Sequence, residues 1–544
     1  MTFLTRRQLL RRALLGTAAA TLSACLPPAP TSTAALVPSA FAPTNNPTRA
    51  PDTAYTAARL AARLPRWHGF NLLEKFIVWE DQPFKEWDFD FLAHWGFDFV
   101  RLPTDYRIFM PKPDVYNEQG LRELDQAIAW GQARGIHVNL CLHRAPGYTV
   151  NVENEEILNL FTPGDEGAGA RLQFAGLWRM FAARYRGIPP EQLSFNLVNE
   201  PAEVEGETVR AALQPAIEDI RAEDANRLII ADGTYWARKP IPELIALGVA
   251  QSMHCYDPMG VTHYAVDWIE DAKYWPEPSW PIDYSLNAYL YGADKPELQS
   301  PLVLEGDFSA DATLSLRVVR VSRLAELQIL ADGAIVFAQR LETGAGEGEW
   351  KSSEWQEQWG IYQALYDRDY TAYIPAGTRR VELRLGEGDW LTFSQIKIEP
   401  YTAKEGPLYA RANDARWGIL QQPLTIDEHG ALHSAEGAGR WNRQRLWDES
   451  VQPFVDLAAR GVGVHVGEFA VGPYTPHTVA LAWISDCLAN WRQAGFGWAM
   501  WNLRGGMGIL DSGRADVQYE DYDGHLLDRK MLDLLLADMQ GEGE

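Results

Sequence analysis

The chain has 544 residues, 46% of them hydrophobic, enough for two or three domains or for one large barrel plus an insert. Its formal net charge of −24 argues against nucleic acid as a partner and against a basic membrane-binding face, and it suits a neutral ligand. The 21 tryptophans exceed what a core needs and provide flat faces on which sugars or aromatic rings can stack.

Residues 1–25 read as an address. They hold four arginines and no acid, and TRRQLLRR precedes an apolar stretch too short to span a membrane. Arg6-Arg7 after Thr5, followed by Leu9 and Leu10, resembles a twin-arginine export signal. LSAC ends at Cys25 like a lipoprotein cleavage box; the alternative is an ordinary cleaved secretory signal with Cys25 incidental. Residues 26–55, rich in Pro, Ala, Ser and Thr, read as a flexible linker. The expectation is an exported, extracytoplasmic monomer that touches a membrane only through a lipid anchor. Cys141, Cys255 and Cys487 sit in apolar runs and are expected as buried free thiols. No Cys or His spacing suggests zinc, so neither a metal nor a cofactor is expected.

From residue 56 strand and helix patterns alternate. RWHGFNL (66–72) reads as a strand, and a loop with Trp79 and the short helix DFDFLAHWG follow it. FDFVRLP (97–103) is a second strand, and LRELDQAIAWGQARG (121–135) a helix stopped by glycine. IHVNLCLH (136–143) is a third strand, followed by the helix RLQFAGLWRMFAARYRG. LSFNLVNEP (193–201) reads as a buried strand running into an amide, a carboxylate and a proline; Pro201 biases Glu200 towards an extended backbone. Beyond the helix VRAALQPAIEDIRAED come the strands RLIIADG (227–233) and QSMHCYDP (251–258). Residues 299–400 contain no helical pattern, only short alternating strands between Gly- and Asp-rich turns, as in a β-sandwich. The alternation then resumes with the helix RWNRQRLWDESVQPFVDLAARG, the strand GVHVGEFAVG (463–472), the helix TVALAWISDCLANWRQAG and the strand GFGWAMWNL (495–503).

Eight strands alternating with helices predict a (β/α)8 TIM barrel interrupted after its sixth strand by an all-β sandwich. The expected division is barrel over 56–298 and 401–544, with the insert at 299–400. Chemistry in such barrels sits at the C-terminal strand ends. Arg101, His143, Asn199, Glu200, His254, Tyr256, Glu468 and Trp501 all fall there. Glu200 and Glu468, each closing an apolar strand, form a candidate pair of carboxylates.

This ordered set resembles glycoside hydrolase family 5, the cellulase-like retaining β-glycosidases, from about residue 66 to 535 apart from the insert. The resemblance implies Glu200 as acid/base and Glu468 as nucleophile. Arg101 and Tyr256 would hold Glu468, and Asn199 would contact the sugar 2-hydroxyl. His254 would tune Glu200; His143 would bind sugar hydroxyls or support Arg101, and Trp501 would floor the sugar ring. The implied substrate is a β-linked oligo- or polysaccharide, cleaved as by an endo-β-1,4-glucanase. A β-mannanase or an exo-acting enzyme uses the same residues, and a non-catalytic carbohydrate-binding protein on a dead barrel is a rival of another class. Trp79, Tyr148, Tyr235, Trp236, Trp275 and Trp280 are candidates for further subsites. Trp350, Trp355, Trp359 and Trp390 are candidates for glycan binding by the insert.

Overall fold

The computed structural model describes residues 56–150, 159–269, 272–401, 406–434 and 440–541. The signal, Cys25 and linker expected at 1–55 lie outside them. Eight strands form the barrel: β1 (His68–Asn71), β2 (Phe99–Asp105), β3 (His137–Ala145), β4 (Leu193–Asn196), β5 (Leu228–Asp232), β6 (Ala250–Cys255), β7 (Val464–Phe469) and β8 (Gly497–Met500). Each pairs in parallel with its neighbours, and β8 returns to β1 to close the cylinder. Every residue in these strands is buried, because the interior fills one face and helices cover the other.

Most crossovers are amphipathic helices whose ends follow local rules. Glu118–Arg134, for instance, is capped by the Asn117 side chain and stopped at Gly135, which has φ 71°. Between β5 and β6 a 3₁₀ turn, Pro242–Leu247, replaces a full helix. Helix Ala57–Ala62 closes the N-terminal end of the barrel, where Leu60, Ala61 and Leu64 pack on Phe99, Leu228, Ile230 and Ala250. Chemistry is thereby left to the opposite end.

The insert is wider than the 299–400 expected from sequence. Its strands run from Tyr289–Tyr291 to Leu432–Ser434 and include Leu408–Arg411 and Leu424–Ile426, all in one hydrogen-bonded system. These outer strands have three or four residues, too few to show an alternation. Two long strands, Ala312–Ala331 and Thr378–Glu399, run through both layers. They bend at matching irregularities between Ser322 and Leu327, where Arg323 has φ 54° and Gly388 has φ 94°. Both halves bury their inward positions in an apolar core separate from that of the barrel: Leu314 and Leu316 from one, Leu327 and Ile329 from the other. Cys141, Cys255 and Cys487 are buried and unbridged. Among the described residues, no helix is long and apolar enough to cross a membrane.

Candidate active site

Arg101 projects from β2 into the barrel and is 1% exposed. Its Nε donates to Asn196 at 2.9 Å, and Nη1 donates to Asn71 at 3.0 Å and to Glu468 Oε1 at 2.5 Å. Nη2 reaches Asn199 Oδ1 at 2.8 Å, Cys141 Sγ at 3.1 Å and Asp232 Oδ2 at 3.4 Å. A guanidinium presents its donors in a rigid plane, so acceptors drawn from β1, β3, β4, β5 and β7 fix it in one orientation. The surrounding thiol and carboxylates raise its pKa despite burial, so it stays cationic.

Glu468 is held from two sides, by Arg101 on Oε1 and by the Tyr256 hydroxyl donating to Oε2 at 3.1 Å. A register shift at Gly467 brings Glu468 level with His254 on β6. A side chain at Gly467 would have its Cβ 2.4 Å from Ser252 Oγ and 3.0 Å from His254 Nε2, so β7 and β6 approach this closely only because the residue is glycine. Burial, partly offset by His254 and Arg101, pushes the Glu468 carboxyl up to about 6.

Glu200 lies beyond the last residue of β4, and it is not extended as Pro201 suggested. Its φ is 48°, a left-handed conformation costing a non-glycine residue about 1–3 kcal/mol. Tertiary bonds hold it there. The Glu200 N–H donates to Asp232 at 3.1 Å; the Tyr148 hydroxyl donates to the Glu200 carbonyl at 2.7 Å and accepts from the Ala202 N–H at 2.8 Å. The Glu200 carboxylate meets His254 Nδ1 at 2.7 Å, and that nitrogen is also 3.6 Å from Glu468 Oε2. Burial alone would lower the His254 pKa, but the carboxylates of Glu468, Asp232 and Glu200 raise it. Oxygens of Glu200 and Glu468 lie within 4.8 Å of one another.

Glu200, His254 and Glu468 are also a conceivable donor set for a cation. They fit one poorly, because Arg101 and Tyr256 already occupy both oxygens of Glu468.

The other expected residues divide. Asn199 Oδ1 accepts from Arg101, and its buried Nδ2 has no protein partner. His143 does not support Arg101. Its ring packs edge-on against Phe76 at 4.5 Å and beside Trp501 at 5.5 Å, its Nδ1 has no partner, and burial holds its pKa well below the usual value. Trp501 follows β8, half-buried against Phe76. Tyr148 braces the Glu200 loop through its hydroxyl, and Trp280 is tied by Nε1 to Asp486 at 2.9 Å. Tyr235 bonds Glu205 at 3.0 Å beneath Lys239. Trp79 and Trp236 carry the Arg107 and Arg238 guanidinium groups over their rings. Sequence reading missed Asp232, Asn71 and Asn196, and the only signal for them was a polar residue at or near the end of an otherwise apolar strand.

A closed parallel barrel whose strand ends converge on two facing carboxylates has the arrangement that glycoside cleavage requires. Residues 60–275 match the family model for cellulase (glycosyl hydrolase family 5), and the chain is cellulase-like over that part. The matched stretch ends ahead of the insert, so Glu468 lies beyond it. Endoglucanase C of Acetivibrio thermocellus is 30% identical over 193 residues, covering 34% of this chain and 54% of the relative. Cellodextrinase A of Ruminococcus flavefaciens is 26% identical over 196 residues, 34% of this chain and 55% of that protein. The chain thus spans about half the length of these curated relatives. A solved structure described as a glycoside hydrolase is 25% identical, with a TM-score of 0.55, over 87% of this chain and 99% of the other.

Proposed function

We propose that the protein is a retaining glycoside hydrolase of β-linked polysaccharide, endo-β-1,4-glucanase-like, with Glu468 as nucleophile and Glu200 as acid/base. One observation carries the reading: two carboxylates with oxygens within 4.8 Å of one another, given opposite surroundings. Retaining enzymes hold this pair about 5–5.5 Å apart, whereas an inverting enzyme needs about 6.5–9.5 Å to seat a water between them.

Two carboxylates this close resist ionising together and share a proton. Arg101 and Tyr256 both donate to Glu468, which favours the negative charge there and aims an oxygen at the anomeric carbon. The proton then belongs to the Glu200–His254 pair across its 2.7 Å contact, available to the leaving oxygen. In the first step the Glu468–anomeric carbon bond forms as the glycosidic bond breaks, and Glu200 delivers the proton. In the second, Glu200 takes a proton from water, which displaces Glu468 with a second inversion. Asn199 Nδ2 suits the sugar 2-hydroxyl, where hydrogen bonding strengthens in the transition state. Trp501 offers the ring floor. The names of the two relatives support β-glucan over mannan as the substrate.

The test is reducing-sugar release from soluble cellulose, mixed-linkage glucan, glucomannan, galactomannan and xylan, with the anomer of the first product read by NMR. The β-anomer, formed by wild type and not by Glu468→Ala, supports the reading. An initial α-anomer, or release that survives Glu468→Ala, overturns it.

A further inference from the structure

The loop that leaves β6 and the β-sandwich enclose a cleft of about 740 Å³ outside the catalytic cluster. Tyr264, Tyr274 and Trp275 come from the loop; Arg317, Gln395 and Arg411 face them from the insert. A second hollow of about 290 Å³ is lined by Tyr284, Tyr409 and residues 430–432. The two hollows, at the seam of loop and insert, share Arg411 in their walls.

Its chemistry limits what it can hold. Arg317 is neutralised by Asp367 at 2.6 Å, and Arg411 lies over the Tyr409 ring at 5.2 Å and donates to the Glu277 carbonyl at 3.2 Å. Lys273 and Glu277 also line the cleft, so three cations face two anions and the walls carry charges of both signs that nearly balance, on a chain whose net charge of −24 repels anions. They mix half-buried aromatic faces with an amide, a hydroxyl and guanidinium groups. That suits a ligand with apolar C–H faces and many hydroxyls better than a lipid or an apolar peptide. A cleft of about 740 Å³ with a second hollow beside it has room for more than one sugar residue.

We propose that this seam binds an uncharged β-linked glycan chain, of the kind cleaved at Glu200 and Glu468, so that the insert holds polymer beside the active site. The proposal rests on the glycan reading of the barrel. The loop that lines the seam packs on the active site: Tyr264 follows His263, whose ring meets Tyr256 edge-on at 5.2 Å.

The experiment uses the full chain. Binding of the Glu468→Gln protein to hydroxyethylcellulose, mixed-linkage glucan and glucomannan is measured by affinity electrophoresis, alone and with Trp275→Ala or Gln395→Ala added. In parallel, both seam substitutions are made with Glu468 intact and assayed on an aryl β-cellobioside, and all Tm values are recorded. We expect Trp275→Ala to weaken polymer binding about tenfold, and Gln395→Ala less, with Tm unchanged and aryl-glycoside kcat/KM within about twofold. If Trp275→Ala lowers Tm, Gln395→Ala decides alone. Unchanged polymer affinity, absence of polymer binding by Glu468→Gln, or an equal loss on the aryl glycoside overturns the seam. A wild-type protein inert on every glycan, yet binding polymer through Trp275, overturns the hydrolase reading and supports the seam.

Discussion

Arg101 in the barrel and Arg317 in the sandwich both lie within a strand and both bond carboxylates, but in different surroundings. Arg101 is 1% exposed and meets acceptors from five other strands or their ends, while the Arg317 side chain is 33% exposed and bonds Asp367 and Asp369 on the antiparallel strand beside it. Lys351 adds a further exposed contact to Asp367. The sandwich lets water screen its charges, so each pair adds little and each is replaceable. The barrel has removed the water, so its charges depend on one another. Loss of one partner strands the rest in a low dielectric, the setting in which fixed dipoles and charges act most strongly on a reacting group.

Substitutions should separate the two regimes. The largest effect is expected for Glu468→Ala, a fall in kcat of about 10⁴-fold or more on soluble glucan with the fold retained by circular dichroism. Arg101→Leu leaves Glu468 and Asp232 without their cation; denaturant titration should show a loss of about 3–5 kcal/mol, and activity should vanish with it. Gly467→Ala forces a Cβ against Ser252 Oγ and His254, and is expected to cost about 1–3 kcal/mol with kcat reduced more than KM is changed. The pH profile gives a smaller, graded effect. Glu468 must be ionised to attack and its carboxyl sits at about 6, while the Glu200–His254 pair must keep the proton it delivers, so kcat/KM should fall about tenfold per unit below that pH and fall again at higher pH as the pair loses its proton. Stability runs the other way: with the folded pKa above the ordinary 4.5, the native state holds the extra proton between those values, and this group's contribution declines as pH rises through them. Smallest is Arg340→Ala in the sandwich, where Arg340 pairs with Glu342 and Glu387 in solvent; its stability should stay within about 0.5 kcal/mol of wild type.

The eight strands were legible because each is a short apolar run with helical periodicity on either side, and so were the eight polar residues at their ends. Asp232 was not. In RLIIADG it reads as the acid that opens a turn, and only the closed cylinder brings it to Arg101, His254 and the Glu200 amide. Asn71 and Asn196 were hidden in the same way, each an amide within a strand whose partner lies on another. The backbone of Glu200 departs from what Pro201 favours because three tertiary hydrogen bonds outweigh a local preference. The insert's edges were misplaced because strands of three or four residues carry no readable period, although its long strands did.

Ile282 and Trp441 pair as an antiparallel bridge, each amide donating to the other's carbonyl at 2.8 and 2.9 Å. Both side chains belong to the barrel core, whereas the sandwich core begins at Leu286. To the barrel, then, the whole insert is a loop already closed at its neck. Each doubling of a closed loop's length costs only about 0.6 kcal/mol, so what lies beyond the neck can be lengthened, shortened or exchanged with little consequence for the cylinder. The geometry of that bridge makes the sandwich a cassette, set apart from the cylinder that carries Glu200 and Glu468.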